Sequence, residues 1–252
     1  MWSEFGELLC KLEEEKRLVN IWFRDDDMGA CIPEAKGVLD LFDELEIPVL
    51  LSVIPGAMEE QTADWIRGSK TAWVGQHGLF HQDNSITEGL VTEFDDALWD
   101  VDTMVEKIME YKTKLQQNFG KQFNNSFIAP WNVLNPTLEE AISRCGFDFI
   151  SNGGVDKFNS HHIYELNTRV DMVNWDVKHA YAGEEYFFGQ LFSALKEDMD
   201  VAEREIEIGV LSHQWAIKEE GFEFLRKFTE FLRKFSGVNM DFRKCLEGKL
   251  TR

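Results

Sequence analysis

Four groups of polar side chains stand where apolar runs of the sequence end: Arg24-Asp25-Asp26-Asp27, His77-Gly-Leu-Phe-His81, Asn132, and Ser212-His213. Three adjacent aspartates repel one another, and burying them even partly is costly unless a cation or an arginine neutralises them. A metal ion would do so. Two histidines four residues apart lie on one face of a helical segment and can reach a single ion. Imidazole and carboxylate ligands suit zinc, nickel, cobalt or iron better than magnesium. Two His and one Asp leave positions open for water and substrate. The blander alternative makes the aspartates a solvated cap for the next helix and the His pair incidental; their shared placement at strand ends favours the metal. His213, taken alone, reads as well as a hydrogen-bonded structural residue. Trp131 and Trp175 are either core aromatics or walls on which a sugar stacks.

Helices and strands must bring these groups together. Phe5, Leu8, Leu9 and Leu12 repeat at helical spacing, and Leu18 to Phe23 is a compact β-type run followed by an acidic loop. Further helices are predicted over Pro33 to Leu45, Met58 to Arg67, Asp96 to Asn118, Pro136 to Arg144 and Lys218 to Phe235. Strands are predicted over Pro48 to Ile54, Thr71 to Val74, Ser126 to Ala129, Phe147 to Ile150 and Ile206 to Leu211, with a less regular middle and a surface loop at Ser151 to Ser160. Near-continuous apolar strands alternating with helices imply a parallel sheet covered on both faces, closed as a barrel or open and doubly wound. No glycine-rich phosphate loop follows the first strand, which disfavours the open nucleotide-binding sheet. The expected fold is therefore α/β, an irregular (β/α) barrel of about seven strands, in which strand ends gather their side chains at one face. One domain covers residues 1–252.

Read in order, these segments resemble the motifs of the polysaccharide deacetylase superfamily, the nodulation-type deacetylase homology domain, from about Ile21 to His213. Asp26-Asp27 is similar to its Asp-Asp pair, His77 and His81 to its H-x3-H metal motif, and Ala129-Pro130-Trp131 to its Pro-aromatic motif. Asp171 to Trp175 resembles its Asp-Trp motif and Leu211-Ser212-His213 its closing Leu-x-His motif. Arg-Asp-Asp-Asp, Val-Ile-Pro, Gln-His-Gly, Pro-Trp-Asn and Asn-Thr-x-Val-Asp together resemble an intracellular bacterial deacetylase-like subgroup. The resemblance implies one divalent ion, zinc before nickel, cobalt or iron, on Asp27, His77 and His81. It makes Asp26 the general base and His213 the catalytic acid, tuned by Asp171, and Arg24, Asp25, Pro130, Trp131, Asn132, Arg169 and Trp175 are expected around the substrate.

Two departures bear on activity: Ile128 stands where the family has the arginine that orients the base, and Asn174 where it has an acid beside Trp. Arg24 or Arg169 is left to do the arginine's work near the substrate. The triplet also leaves a second register open, Asp25-Asp26, which moves every role back one residue. The implied activity is metal-dependent removal of an acyl group, N-acetyl foremost, from a carbohydrate or small amide. The alternative is a barrel that binds a glycan or small molecule with little or no turnover.

A formal charge of −20, from 46 acidic and 26 basic residues, repels nucleic-acid phosphates and anionic membrane surfaces. Hydrophobic residues at 44% and aromatics at 13% supply a core. Ile47 to Pro55, the longest apolar run, is about half of what a membrane-spanning helix needs. Trp2 to Lys16 has no basic start, apolar centre or cleavage site, and Cys10, Cys31, Cys145 and Cys245 form no CxxC pair. The expectation is a cytoplasmic protein with free, mostly structural thiols, acting on a small-molecule or oligosaccharide substrate.

Overall fold

The computed structural model describes residues 1–153, 163–177, 179–201, 205–247 and 249. Its elements run α1 (Trp2–Glu14), β1 (Leu18–Met28), α2 (Pro33–Leu45), β2 (Val49–Val53), α3 (Glu60–Gly68), β3 (Ala72–His77), α4 (Val101–Phe119), β4 (Phe123–Ile128) and α5 (Pro136–Arg144). They continue through β5 (Phe149–Ile150), β6 (Tyr164–Glu165), β7 (Thr168–Asp171), α6 (Glu184–Val201), β8 (Glu205–His213), α7 (Gln214–Leu232), β9 (Val238–Asn239) and α8 (Phe242–Leu246). The sheet follows the order β6-β5-β4-β3-β2-β1-β8-β7, all parallel, with β9 added beside the start of β1. A parallel bridge between Gly153, just past β5, and Thr168 of β7 links opposite ends of that order, so the sheet curls into an irregular (β/α) barrel.

Why β1 is central can be read from its side chains. From Val19 to Asp26 every residue is buried, as expected of a strand covered on both faces. Alternation sends Ile21 and Phe23 outward into the large core beneath α1, α2, α6 and α7. Trp22 points inward, where Leu50, Phe149, Leu166 and Phe242 fill the barrel bottom. At Gly209 any Cβ would meet the Trp22 ring at 2.5 Å, so the glycine makes room for the indole.

Several expected elements are corrected. The acidic stretch after Phe23 is no loop; the strand runs on to Met28 because its charges find partners inside the sheet. His77 ends β3, and residues 78–81 form a loop rather than a helix, with positive φ at Gly78 (55°) and His81 (51°). The predicted helix from Asp96 starts at Val101, where the Asp100 carboxylate accepts from the Thr103 N–H at 2.8 Å, while α7 begins earlier than Lys218, directly after His213. The irregular middle contains an 18-residue helix, α6. Ser151 and Asn152, at the head of the expected surface loop, are buried; its residues 154–160 lie outside the described ones.

Candidate active site

Period-two alternation along β1 places Arg24 and Asp26 on the inner side, with Trp22, and Asp25 on the outer. The next residue departs from the alternation. Between Asp25 and Met28 the register with β2 slips by one, and Asp27 takes φ 66°. Such a bulge re-aims a side chain at a sheet end, and here it turns Asp27 into the same cleft as Asp26. Of the two registers the triplet allows, Asp26-Asp27 is thus the pair that faces the cleft, whereas Asp25 does not line it.

Arg24 is fully buried and lies against Asp26, its Nη2 2.9 Å from Oδ2 and its Nε 2.9 Å from Oδ1. It also donates to Ser151 Oγ at 2.8 Å and to Asn132 Oδ1 at 3.2 Å, which fixes the guanidinium plane. Ser52 Oγ donates to Asp26 Oδ1 from β2. Burial alone would raise the Asp26 pKa, but Arg24, then His77 and His213, outweigh it and hold the carboxyl below its usual range. Asp25 is equally buried and is pushed well above the usual carboxylate range by desolvation and by its two neighbouring aspartates, although Ser212 Oγ, at 2.5 Å, and the Gln214 backbone N–H donate to it. Arg24 and Asp25 therefore stand behind the cleft wall instead of touching its contents.

Asp27 Oδ1 lies 3.5 Å from His77 Nε2 and 3.4 Å from His81 Nε2, and the three ligand atoms fall within 4.8 Å of one another. His77 Nδ1 sits 3.1 Å from the Ile128 carbonyl, which can only accept, so Nδ1 carries a proton and Nε2 is the nitrogen that faces Asp27. Trp215 Nε1–H donates to Asp27 Oδ2 at 3.1 Å, so one carboxylate oxygen is committed and the other faces the histidines. Buried Oδ1 has no hydrogen-bond partner. An orphaned carboxylate oxygen between two imidazole nitrogens fits a divalent transition metal. Asp27 is held below the usual range despite burial, chiefly by His77. Burial lowers His77, but the Asp27 and Asp26 carboxylates carry it above the ordinary imidazole value; His81, beside His77, is lowered by burial and by that neighbour.

The cleft, about 540 Å³, is walled by Trp131, Asn132, Asp171, Trp175, His179, Leu211, His213 and Trp215 around Asp26, Asp27, His77 and His81. Parallel pairing of β1 with β8 sets His213 directly opposite Asp26 and Ser212 opposite Asp25. The Trp131 ring centre is 4.2 Å from that of His81, and both Trp131 (φ 53°) and Asn132 (φ 57°) occupy the left-handed region. Non-glycine residues held there cluster at functional sites. Pro130, which precedes them, is buried. Asp171 does not hydrogen-bond His213: its oxygens accept from the Val173 N–H and from Trp175 Nε1, both at 2.8 Å, and Trp175 then meets His213 edge-on at 4.7 Å. Burial raises the Asp171 pKa although His213 and these two donors oppose it. Asn174 Oδ1 accepts from the Asp176 N–H in a local turn. Arg169 is turned away, paired with Glu197 at 2.5 Å and with Asp198 on α6. Trp215, His179, Ser52 and Ser151 were not singled out by the sequence; only Trp215, two residues past a strand-end histidine, carried a local signal. His161 and His162 lie outside the described residues.

No family model and no curated protein matches the chain. Solved structures do. Puue allantoinase superposes with a TM-score of 0.62 at 15% identity, covering 88% of this chain and 87% of that one. A family 4 carbohydrate esterase from Streptomyces lividans, in complex with acetate, gives 0.55 at 11% identity over 88% and 91%. A family 4 acetyl xylan esterase from Clostridium thermocellum, in complex with a cobalt ion, gives 0.51 at 15% identity over 88% and 94%. The chain has the polysaccharide deacetylase fold. Within that fold, Ile128 lends the His77 ring its carbonyl, and the guanidinium beside Asp26 comes from Arg24 on its own strand.

Proposed function

We propose that the chain is a single-domain, metal-dependent hydrolase that removes an acyl group, N-acetyl foremost, from a carbohydrate or small amide. The observation carrying this reading is the unpartnered Asp27 Oδ1 facing His77 and His81, next to an Asp26 paired in register with His213. A divalent ion on Asp27, His77 and His81, zinc first, supplies Lewis acidity toward an acyl oxygen and acidifies water. Asp26, kept ionised by Arg24, accepts the proton of the attacking water. His213, across the cleft strand, donates a proton to the leaving nitrogen. Trp131 and Trp175, each about one-third exposed, offer flat faces to a sugar or other planar group.

Among the described residues no lysine or arginine lines the cleft, which suits a neutral acyl compound better than an anionic one. The structural neighbours include deacetylases, esterases and an allantoinase, which supports a hydrolase. The guanidinium on Asp26 favours turnover over the binding-only alternative, because the base retains an orienting partner. Among the described residues no helix is long and apolar enough to cross a membrane, and all four cysteines are free, in keeping with a reducing cytoplasm. The test is acetate release from N-acetylglucosamine oligomers and small acetamides by chelator-stripped protein reloaded with zinc or cobalt. Release that disappears with chelator and with Asp26→Asn is the expected result; tight ligand binding without release under either metal would sink the enzyme in favour of the binding protein.

A further inference from the structure

The loop from Gly78 to His81 has no helix or strand to hold it, yet it must present His81 Nε2 toward Asp27. A zinc–imidazole bond is about 2.0–2.1 Å, so a shift of a few tenths of an ångström matters. His81 also holds φ 51°, a left-handed conformation that a non-glycine residue keeps only where its surroundings enforce it. The chain supplies an enforcing group from outside the cleft. Glu93 is 1% exposed, and its Oε2 accepts from the Leu79 N–H at 2.8 Å while its Oε1 accepts from the Phe80 N–H at 2.7 Å.

Both donors lie on the peptide units leading into His81. Hydrogen bonds to a carboxylate are roughly twice as strong as neutral ones, and two from one side chain fix orientation as well as position. The base of this clamp is anchored: Phe94 is fully buried in the core cluster that includes Leu79, and its carbonyl accepts from Asn135 Nδ2 at 2.5 Å. Gly78 fits the same arrangement, since a Cβ there would lie 2.2 Å from Glu93 Oε2 and 2.4 Å from Pro130 Cγ. The glycine is what lets the carboxylate approach the loop. We propose that Glu93 is the positioning residue of the metal centre, setting the His81 imidazole through the backbone of Leu79 and Phe80. The inference rests on the Asp27-His77-His81 reading above.

Its test is titration of the metal-free full chain with Co²⁺ alone, followed by calorimetry and by cobalt absorption. Glu93→Gln leaves one acceptor oxygen for two N–H donors, and Glu93→Asp keeps the charge but shortens the reach. Loss of an outer-shell partner typically weakens metal affinity by about 10–100-fold; that loss and an altered cobalt spectrum are expected for Glu93→Gln, with Glu93→Asp between it and the parent. Ile142→Val removes one buried methyl from α5, leaves Glu93 and its two N–H partners in place, and should leave affinity and spectrum unchanged. Parent-like affinity and spectrum in the Glu93 variants would overturn the proposal, as would an equal weakening in Ile142→Val at an equal drop in melting temperature. His81→Ala separates the two readings: parent-like cobalt binding there removes the metal site itself, whereas its loss alongside intact binding in both Glu93 variants removes only the clamp.

Discussion

Replacing Arg24 by methionine should uncouple Asp26 from its counter-charge while keeping a side chain of similar length. The guanidinium is fully buried and lies 2.9 Å from each Asp26 oxygen, with Asp26 itself 3% exposed. Breaking a buried pair by removing one partner leaves an uncompensated charge and costs about 3–5 kcal/mol. For a chain of this size, at about 2–4 °C per kcal/mol, the melting temperature should fall by about 6–20 °C at neutral pH. The pH dependence then separates charge from packing. In the parent the folded Asp26 pKa lies below the unfolded one, so its contribution to stability is present above the ordinary carboxylate value and lost as pH falls through the folded value. Without Arg24, burial dominates and the folded pKa rises above the unfolded one, so the contribution is present in acid and lost as pH rises through the new value. Arg24→Met should therefore be closest to the parent near pH 4 and worst at pH 8. In the metal-loaded enzyme the acid limb of the rate profile should move to higher pH, and adding Asp26→Asn should recover much of the lost stability. Urea melts at both pH values and a rate profile on an N-acetyl substrate measure this. Equal destabilisation at pH 4 and pH 8 with an unmoved acid limb would refute the coupling.

Elemental analysis should find about one divalent transition ion per parent chain and in Asp26→Asn, with strong loss in Asp27→Ala, His77→Ala and His81→Ala. His213→Ala should slow amide cleavage by about 100-fold to 10,000-fold and cleavage of a nitrophenyl acetate far less, because only the amine needs a proton to leave; equal losses on both would make the histidine structural. Burial pushes the Cys145 thiol up to about 11 and Cys245 up to about 12, while Cys10 is exposed. At pH 8 an alkylating reagent should label Cys10 and spare both buried thiols in the folded chain. The stability Cys145 contributes should be complete below its ordinary pKa of 9.0 and be lost as pH rises through about 11, as alkaline melting would register.

Much of the scaffold follows from short-range rules. Pro33 and Pro136 stand at helix starts where a missing N–H costs nothing, and α2 and α5 occupy the spans their apolar spacing predicts. Asp26, Asp27, His77 and His213 are legible as a set because each stands at the end of an apolar run, and a parallel barrel gathers such ends. Other features depend on partners distant in the chain. The sequence cannot distinguish Arg24 from Arg169 as the partner of Asp26; that depends on Arg24 sharing the inner side of β1 with Asp26 while Arg169 meets Glu197 and Asp198 outside. The i, i+4 spacing of the histidines suggests a helix, but a loop held by Glu93 achieves the same convergence. Helix α6 was hidden because Phe187, Phe188, Leu191 and Leu195 sit in a segment of low amphipathic contrast, and their burial comes from the surrounding core. Asp27 reaches the cleft through a one-residue slip against β2. Local propensity and periodicity are written in neighbouring residues; strand register, bulges and the pairing of buried charges are through-space energies that exist only once the barrel has closed.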